Sequence, residues 1–231
     1  MSNPVSYALL QTVNPATVTA NSQVASLTAT KFNSLILAFI GTNAIAETVS
    51  SVTDNAGNTY LNAYAHAASR RCELWYAIAT SPTTSVTANY SGSSNTKSLF
   101  VREYGGISTV KNTAFDQQVS TSGSGTAVST GASSATRDAN ELVVCSCTTS
   151  ALAPTMTVGA GFGNLVTQTF ASTSIHGTED LTASTIGAQT GLMTVASGSW
   201  DAGLATFIIV AGHFAPYPGI RPHSFSPGIA R

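Results

Sequence analysis

Leu35-Ile36-Leu37-Ala38-Phe39-Ile40, with Ser34 before it and Gly41 after it, is the most apolar run in the chain. Six residues are far too few for a bilayer, which takes about 20 in a helix. A short apolar run set between Ser, Asn and Gly is instead a strand. The same grammar recurs on both sides of it. Residues 5–13, 34–40, 49–53, 59–65, 72–79, 85–90, 98–104, 141–148, 165–170, 175–181, 189–195 and 204–211 all read as strands. Turn signals fall roughly every 8–12 residues and no segment has helical periodicity. The pattern predicts an all-β, antiparallel β-sandwich of two sheets packed face to face.

Turn chemistry supports these boundaries. Asp54-Asn55-Ala56-Gly57-Asn58 supplies residues tolerant of positive φ and reads as a tight hairpin. A second turn, Tyr90-Ser91-Gly92-Ser93-Ser94-Asn95, separates the strands at 85–90 and 98–104. Residues 120–140 are polar and lack bulky side chains, with 126–129 as a short edge strand. In Cys72-Glu73-Leu74-Trp75-Tyr76-Ala77-Ile78, alternation places Cys72, Leu74, Tyr76 and Ile78 on one face and Glu73, Trp75 and Ala77 on the other.

Charge is scarce. Nine basic and ten acidic residues give a net charge of −1, and only 8% of the chain is charged, against roughly a quarter for an average soluble protein. Such a chain has little long-range field, so it is not built to steer nucleic acid or an anionic membrane. Met1-Ser2-Asn3-Pro4 carries no basic n-region, which reads as a soluble chain folding in a cytoplasm. The three cysteines are an odd number. Cys145 and Cys147 point to one face of a strand at a separation unsuited to a disulfide, and read as small buried apolar residues, with a metal site as the alternative.

Convergent chemistry is not visible. The one adjacent carboxylate pair, Glu179-Asp180, would face opposite ways on a strand. His66, His176, His213 and His223 are far apart, and no Gly-x-Ser-x-Gly elbow accompanies them. Gly159-Ala160-Gly161-Phe162-Gly163 resembles a phosphate loop but has no following helix and no Lys-Ser/Thr, so it reads as a turn. Asp54, Asn55 and Asn58 offer three oxygens to calcium, although the turn alone accounts for them. The expectation is no catalytic residue, no metal and no cofactor. Trp75 and Trp200 are candidate glycan-binding aromatics, with burial in the sandwich as the competing reading.

Five phrases together carry a resemblance. They are Val52-Thr53-Asp54-Asn55-Ala56-Gly57-Asn58-Thr59-Tyr60, Glu73-Leu74-Trp75-Tyr76-Ala77, Val101-Arg102-Glu103-Tyr104-Gly105-Gly106-Ile107, Asn140-Glu141-Leu142-Val143-Val144 and Trp200-Asp201-Ala202-Gly203-Leu204-Ala205-Thr206-Phe207. In this order they resemble a jelly-roll-like β-sandwich domain of phage virion proteins and bacterial surface proteins. The resemblance covers most of residues 34–211, contains no catalytic phrase, and implies a structural or binding module.

Residues 213–231 lie outside that pattern. Four prolines, two glycines and no carboxylate remove backbone donors and suit neither strand nor helix. Phe214, Tyr217, Ile220, Phe225 and Ile229 recur along them, with Arg221 and Arg231. Spaced apolar anchors on a proline-stiffened chain are suited to docking pocket by pocket. Nineteen residues at about 3.3 Å each reach roughly 60 Å, enough to cross to an adjacent subunit. The two arginines give this arm +2 and leave −3 on residues 1–212. The division expected is a sandwich over 1–212 and an anchoring arm over 213–231. The function expected is a non-enzymatic phage virion protein, a capsid decoration protein held through its arm. Its partners would be the major capsid protein or neighbouring virion subunits, with homo-oligomers, trimers among them, and no nucleic acid or membrane. The alternative is a carbohydrate-binding adhesin of a tail fibre or bacterial surface.

Overall fold

The computed structural model describes residues 7–109, 114–150 and 155–210. Among these it contains fourteen strands and no helix. The chain is all-β and antiparallel as the turn spacing predicts, but three sheets form where two were expected, because the sheet that contains residues 35–40 is covered on both faces. Sheet A has the order β1 (Ala8–Val13), β8 (Lys97–Gly105), β3 (Leu35–Thr42), β6 (Arg71–Ile78), β5 (Leu61–Ala67). Sheet B has the order β2 (Ser22–Ser26), β7 (Ser85–Tyr90), β4 (Val49–Asp54). In sheet C, β14 (Ala188–Ile208) lies between β9 (Phe115–Ala135) on one side and β10 (Glu141–Ser150) and β11 (Met156–Thr157) on the other. Beyond β10 come β13 (Ser174–Ala183) and β12 (Gly163–Phe170).

The apolar run at β3 explains the stacking. Ile36, Ala38 and Ile40 point into a core shared with Val52, Val86 and Ala88 of sheet B. Leu35, Leu37 and Phe39 point the other way, into a core shared with Leu142, Val144, Ala205 and Phe207 of sheet C. All six are fully buried. A strand covered on both faces has no solvent side to alternate toward, so it reads as a continuous apolar run. The alternation expected over 72–78 holds as well. Cys72, Leu74 and Tyr76 face sheet C with Ile78, and Trp75 and Ala77 face sheet B.

Pairing in the first eight strands is nested: β1 with β8, β2 with β7 and β3 with β6. The pairing fails only at the innermost turn. Asp54-Asn55-Ala56-Gly57-Asn58 was expected to close a hairpin, but β4 pairs with β7 and β5 with β6. The segment is a corner that carries the chain from sheet B to sheet A. Asp54 holds it, accepting the amides of Ala56 and Asn58 at 3.0 Å each and the Asn58 side chain at 2.7 Å. Gly57 takes the positive φ of 76° that the corner requires.

Residues 120–140 also differ from expectation. In place of a short edge strand at 126–129, they belong largely to the 21-residue β9, and the strands expected at 189–195 and 204–211 are parts of the single 21-residue β14. The two form a long ribbon. Between Thr194 and Gly198 three residues of β14 face Thr126 alone, and Gly125 has φ 99°. This bulge folds the ribbon over, as bulges bend strands. The far halves then lie on the outer face of sheet C, where Val128, Met193 and Val195 pack on Cys145, Cys147 and Ala202. At the closed end Arg137 pairs with Asp116, near the start of β9. Small uncharged side chains make this close return possible: a Cβ on Gly191 would overlap the Cys145 sulfur.

Candidate functional site

Seven of the ten carboxylate residues are buried: Glu47, Glu73, Glu103, Glu141, Glu179, Asp180 and Asp201. Five of these seven meet a cation or several donors. Asp201, on the sheet A side of β14, accepts the amides of Ala68, Ser69 and Arg70 at 2.7, 3.0 and 2.7 Å and the Ser69 hydroxyl at 2.8 Å. It thereby fixes the β5–β6 turn to sheet C. His66 Nε2 lies 3.6 Å from the same carboxylate. Asp180 of β13 is the second such clip. It accepts Arg102 Nη1 at 3.0 Å, the Tyr104 and Tyr7 hydroxyls at 2.7 and 2.8 Å, and the Asn164 amide at 2.9 Å. Desolvation and the neighbouring Asp180 push the Tyr7 and Tyr104 phenols well above their ordinary value.

The remaining three lie in and beside sheet A. Glu103 accepts Gln11 Nε2 at 2.7 Å and the Lys31 amide at 2.6 Å. Glu73 takes Arg71 at 2.7 Å and the Trp75 indole at 3.0 Å. Glu47 pairs with the fully buried Lys97 at 2.5 Å. The sparse charge of the sequence is thus concentrated inside, where a carboxylate binding several N–H groups is worth far more than on the surface.

Two arrangements have the residue types of an active site. Ser98 Oγ and His176 Nδ1 are 2.7 Å apart, a pair with no local signature in the chain. Both residues are fully buried between sheets A and C, the ring packs edge-on against Phe100, and desolvation lowers the His176 pKa to about 3. A base held neutral and closed to substrate serves packing. The second is a carboxyl pair that sequence reasoning missed, because its members come from separate strands. Glu141 of β10 hydrogen-bonds Asp116 of β9. Asp116 is held by Arg137 and by Gln117 Nε2 at 3.0 Å. Desolvation raises the Glu141 pKa to about 7, while donors from Arg137 lower that of Asp116 despite its burial. Glu179 faces away from Asp180, as expected of strand neighbours. It accepts the Gly159 amide at 2.9 Å, and desolvation raises its pKa to about 7.

The other candidate residues are placed as follows. The calcium-like oxygens of 54–58 are engaged by protein donors: Asn55 Oδ1 accepts Thr83 Oγ1 and the Thr84 amide, and Asn58 Oδ1 accepts the Thr80 and Ser81 amides. Residues 159–162 form a turn closed by the Phe162 amide on Gly159 O at 3.1 Å. Cys145 and Cys147 are free and buried, with thiols pushed well up by desolvation. Trp200 is 6% exposed against Val128 and the cysteines, and Trp75 is partly buried against the sheet B core. Neither presents an open aromatic face. Phe214, Tyr217, Ile220, Arg221, Phe225, Ile229 and Arg231 lie outside the described residues. An open recess beside β5 and β6 is lined by Asn33, Thr59, Leu61, Tyr76, Ile78 and Thr109, with no acid, imidazole or thiol.

No family model, curated protein or solved structure matches the chain.

Proposed function

We propose that this chain is a non-enzymatic structural protein of a phage virion, a capsid decoration protein whose layered β body is attached through residues 213–231. The observation that carries the reading is the use made of charge. The buried Asp180 and Asp201 act as clips between layers, and the groups with catalytic potential, Ser98, His176, Asp116 and Glu141, are closed off from substrate. A neutral, internally clamped body has little surface self-repulsion and suits an ordered lattice.

The nested pairing of β1 with β8, β2 with β7 and β3 with β6 supports the jelly-roll reading of the first eight strands. The described chain ends just past β14, where the Val210 amide bonds Gly106 O at 3.0 Å, so the arm would leave from the end of a three-sheet stack.

Deleting residues 213–231 tests the proposal. The body should keep its circular dichroism spectrum and melting behaviour while failing to join particles assembled from the same source. Retention at full occupancy would refute attachment through the arm. The carbohydrate-binding alternative draws support from the uncharged recess lined by Tyr76, Asn33 and three threonines, Thr59, Thr80 and Thr109. It predicts binding on a glycan array that survives removal of the arm.

A further inference from the structure

Glu141 and Glu179 stand apart from the other buried acids. Asp180, Asp201, Glu73, Glu103 and Glu47 each meet cations or several donors. In contrast Glu141 has only the Asp138 amide and the Thr206 hydroxyl while sharing its site with the Asp116 carboxylate, and Glu179 Oε1 is buried without a protein donor. An ionised carboxylate with one oxygen uncompensated in the interior is costly, so the closed arrangement selects the neutral acid. For Glu141 the geometry also supplies a use for the proton, because the adjacent Asp116 is an ionised acceptor fixed by Arg137.

Both acids lie where the folded-over ribbon meets sheet C. Glu141 sits at its closed end, beside the turn in which the Asp138 amide donates to Glu141 Oε1 at 3.2 Å. Glu179 points to the outer face of sheet C, under the 156–163 loop whose β11 pairs with β14 at Val195 and Thr194. We propose that the outer layer, residues 127–135 and 188–195, is a pH-operated cover that packs on sheet C while Glu141 and Glu179 carry protons and loosens when they ionise. The charged and titratable groups facing Glu141 are Asp116, Arg137 and Asp138. Those around Glu179 are Cys145 and Cys147 on β10 and Arg102 and Asp180 beyond the sheet. Asp116 repels a second negative charge at Glu141, Arg137 is already engaged by Asp116, and Arg102 is engaged by Asp180. None is free to neutralise the new ion.

The cysteines report the motion. Cys145 and Cys147 are covered by Val128, Met193 and Val195 of the layer, whereas Cys72 lies between sheets A and C and serves as an internal control. A short alkylation pulse on the full chain at about pH 6 and about pH 8.5, followed by peptide mapping, reads the ratio of Cys145 plus Cys147 to Cys72 modification and so cancels the common rise in thiolate. The ratio should rise several-fold at the higher pH. In Glu141→Gln/Glu179→Gln it should stay at its low-pH value. A flat ratio in the native chain, or an unchanged rise in the double variant, overturns the proposal. Should that variant fail to fold, hydrogen exchange of the native chain decides. Residues 127–135 and 188–195 must lose protection with pH, beyond the intrinsic rate change, while residues 35–42 do not. Equal behaviour of both regions refutes the cover.

Discussion

Asp201 and Arg70 are 131 positions apart in the chain, and the Asp201 carboxylate accepts the Arg70 backbone amide at 2.7 Å. With the Ala68 and Ser69 amides on the same carboxylate, one side chain satisfies three consecutive N–H groups of the β5–β6 turn. Replacing Asp201 with Ala strands these donors in a closed site, at about 1–3 kcal/mol for the first unsatisfied group. Chemical denaturation should show a loss of at least that size. Asp201→Asn, which keeps one acceptor oxygen, should lose less; equal stability of Asp201→Ala and the native chain would show that water replaces the carboxylate.

Arg102 and Asp180 join sheets A and C in the same manner, but as a charge pair. Removing one partner leaves the other buried and uncompensated, so Asp180→Ala and Arg102→Met should each cost about 3–5 kcal/mol. The double substitution should cost clearly less than the sum, and a double-mutant cycle by urea unfolding measures that difference.

The pH dependence of stability follows from three buried groups. Glu141 and Glu179 rise from 4.5 to about 7 on folding, so the folded chain holds more protons than the unfolded one in that window and stability falls as pH increases through it. His176 drops from 6.5 to about 3, so its contribution is lost as pH falls below 6.5. Two acids outweigh one base where the windows overlap. Melting temperature should therefore peak near about pH 4.5 and decline to a plateau above about pH 7. Glu141→Gln/Glu179→Gln should flatten the alkaline decline. On the acid side the pairs Glu47–Lys97 and Asp116–Arg137, whose acids sit below their ordinary values, add to the loss.

Two glycines should fail for different reasons. A Cβ on Gly203 would overlap the Tyr64 ring between sheets A and C, so Gly203→Ala should cost about 1–3 kcal/mol through overpacking. Tyr64→Phe leaves that overlap in place and should not rescue it, whereas Tyr64→Leu should. Gly125 has open space around it but φ 99°, so Gly125→Ala should lose about 1–3 kcal/mol through backbone strain alone. Thermal unfolding of each variant checks both values.

Strand positions were legible because they depend on neighbours in sequence. The alternation over 72–78 and the turn at 159–163 came through intact, as did the opposed orientations of Glu179 and Asp180. The Asp54 corner is not legible locally because the same Asx and Gly chemistry serves a hairpin and a sheet-to-sheet crossing alike; the choice lies in which strand β4 finds as a partner. The full length of β9 is not legible locally because Ser, Thr and Gly carry no apolar period, and only β14 beside it makes it a strand. Of the site residues, Ser98–His176 and Asp116–Glu141 left no local signal, since their members are brought together by stacking and pairing.

The amino-acid sequence by itself determined an all-β antiparallel protein with an internally apolar third strand, scarce charge and free buried cysteines, because pleat alternation and turn propensity act over a few residues. Tertiary structure decided that the sheets number three, that the β9–β14 ribbon folds over sheet C, and that the acids lie between layers. Those outcomes depend on which surfaces meet, and there a buried carboxylate is stable only with donors to satisfy it or with a proton of its own.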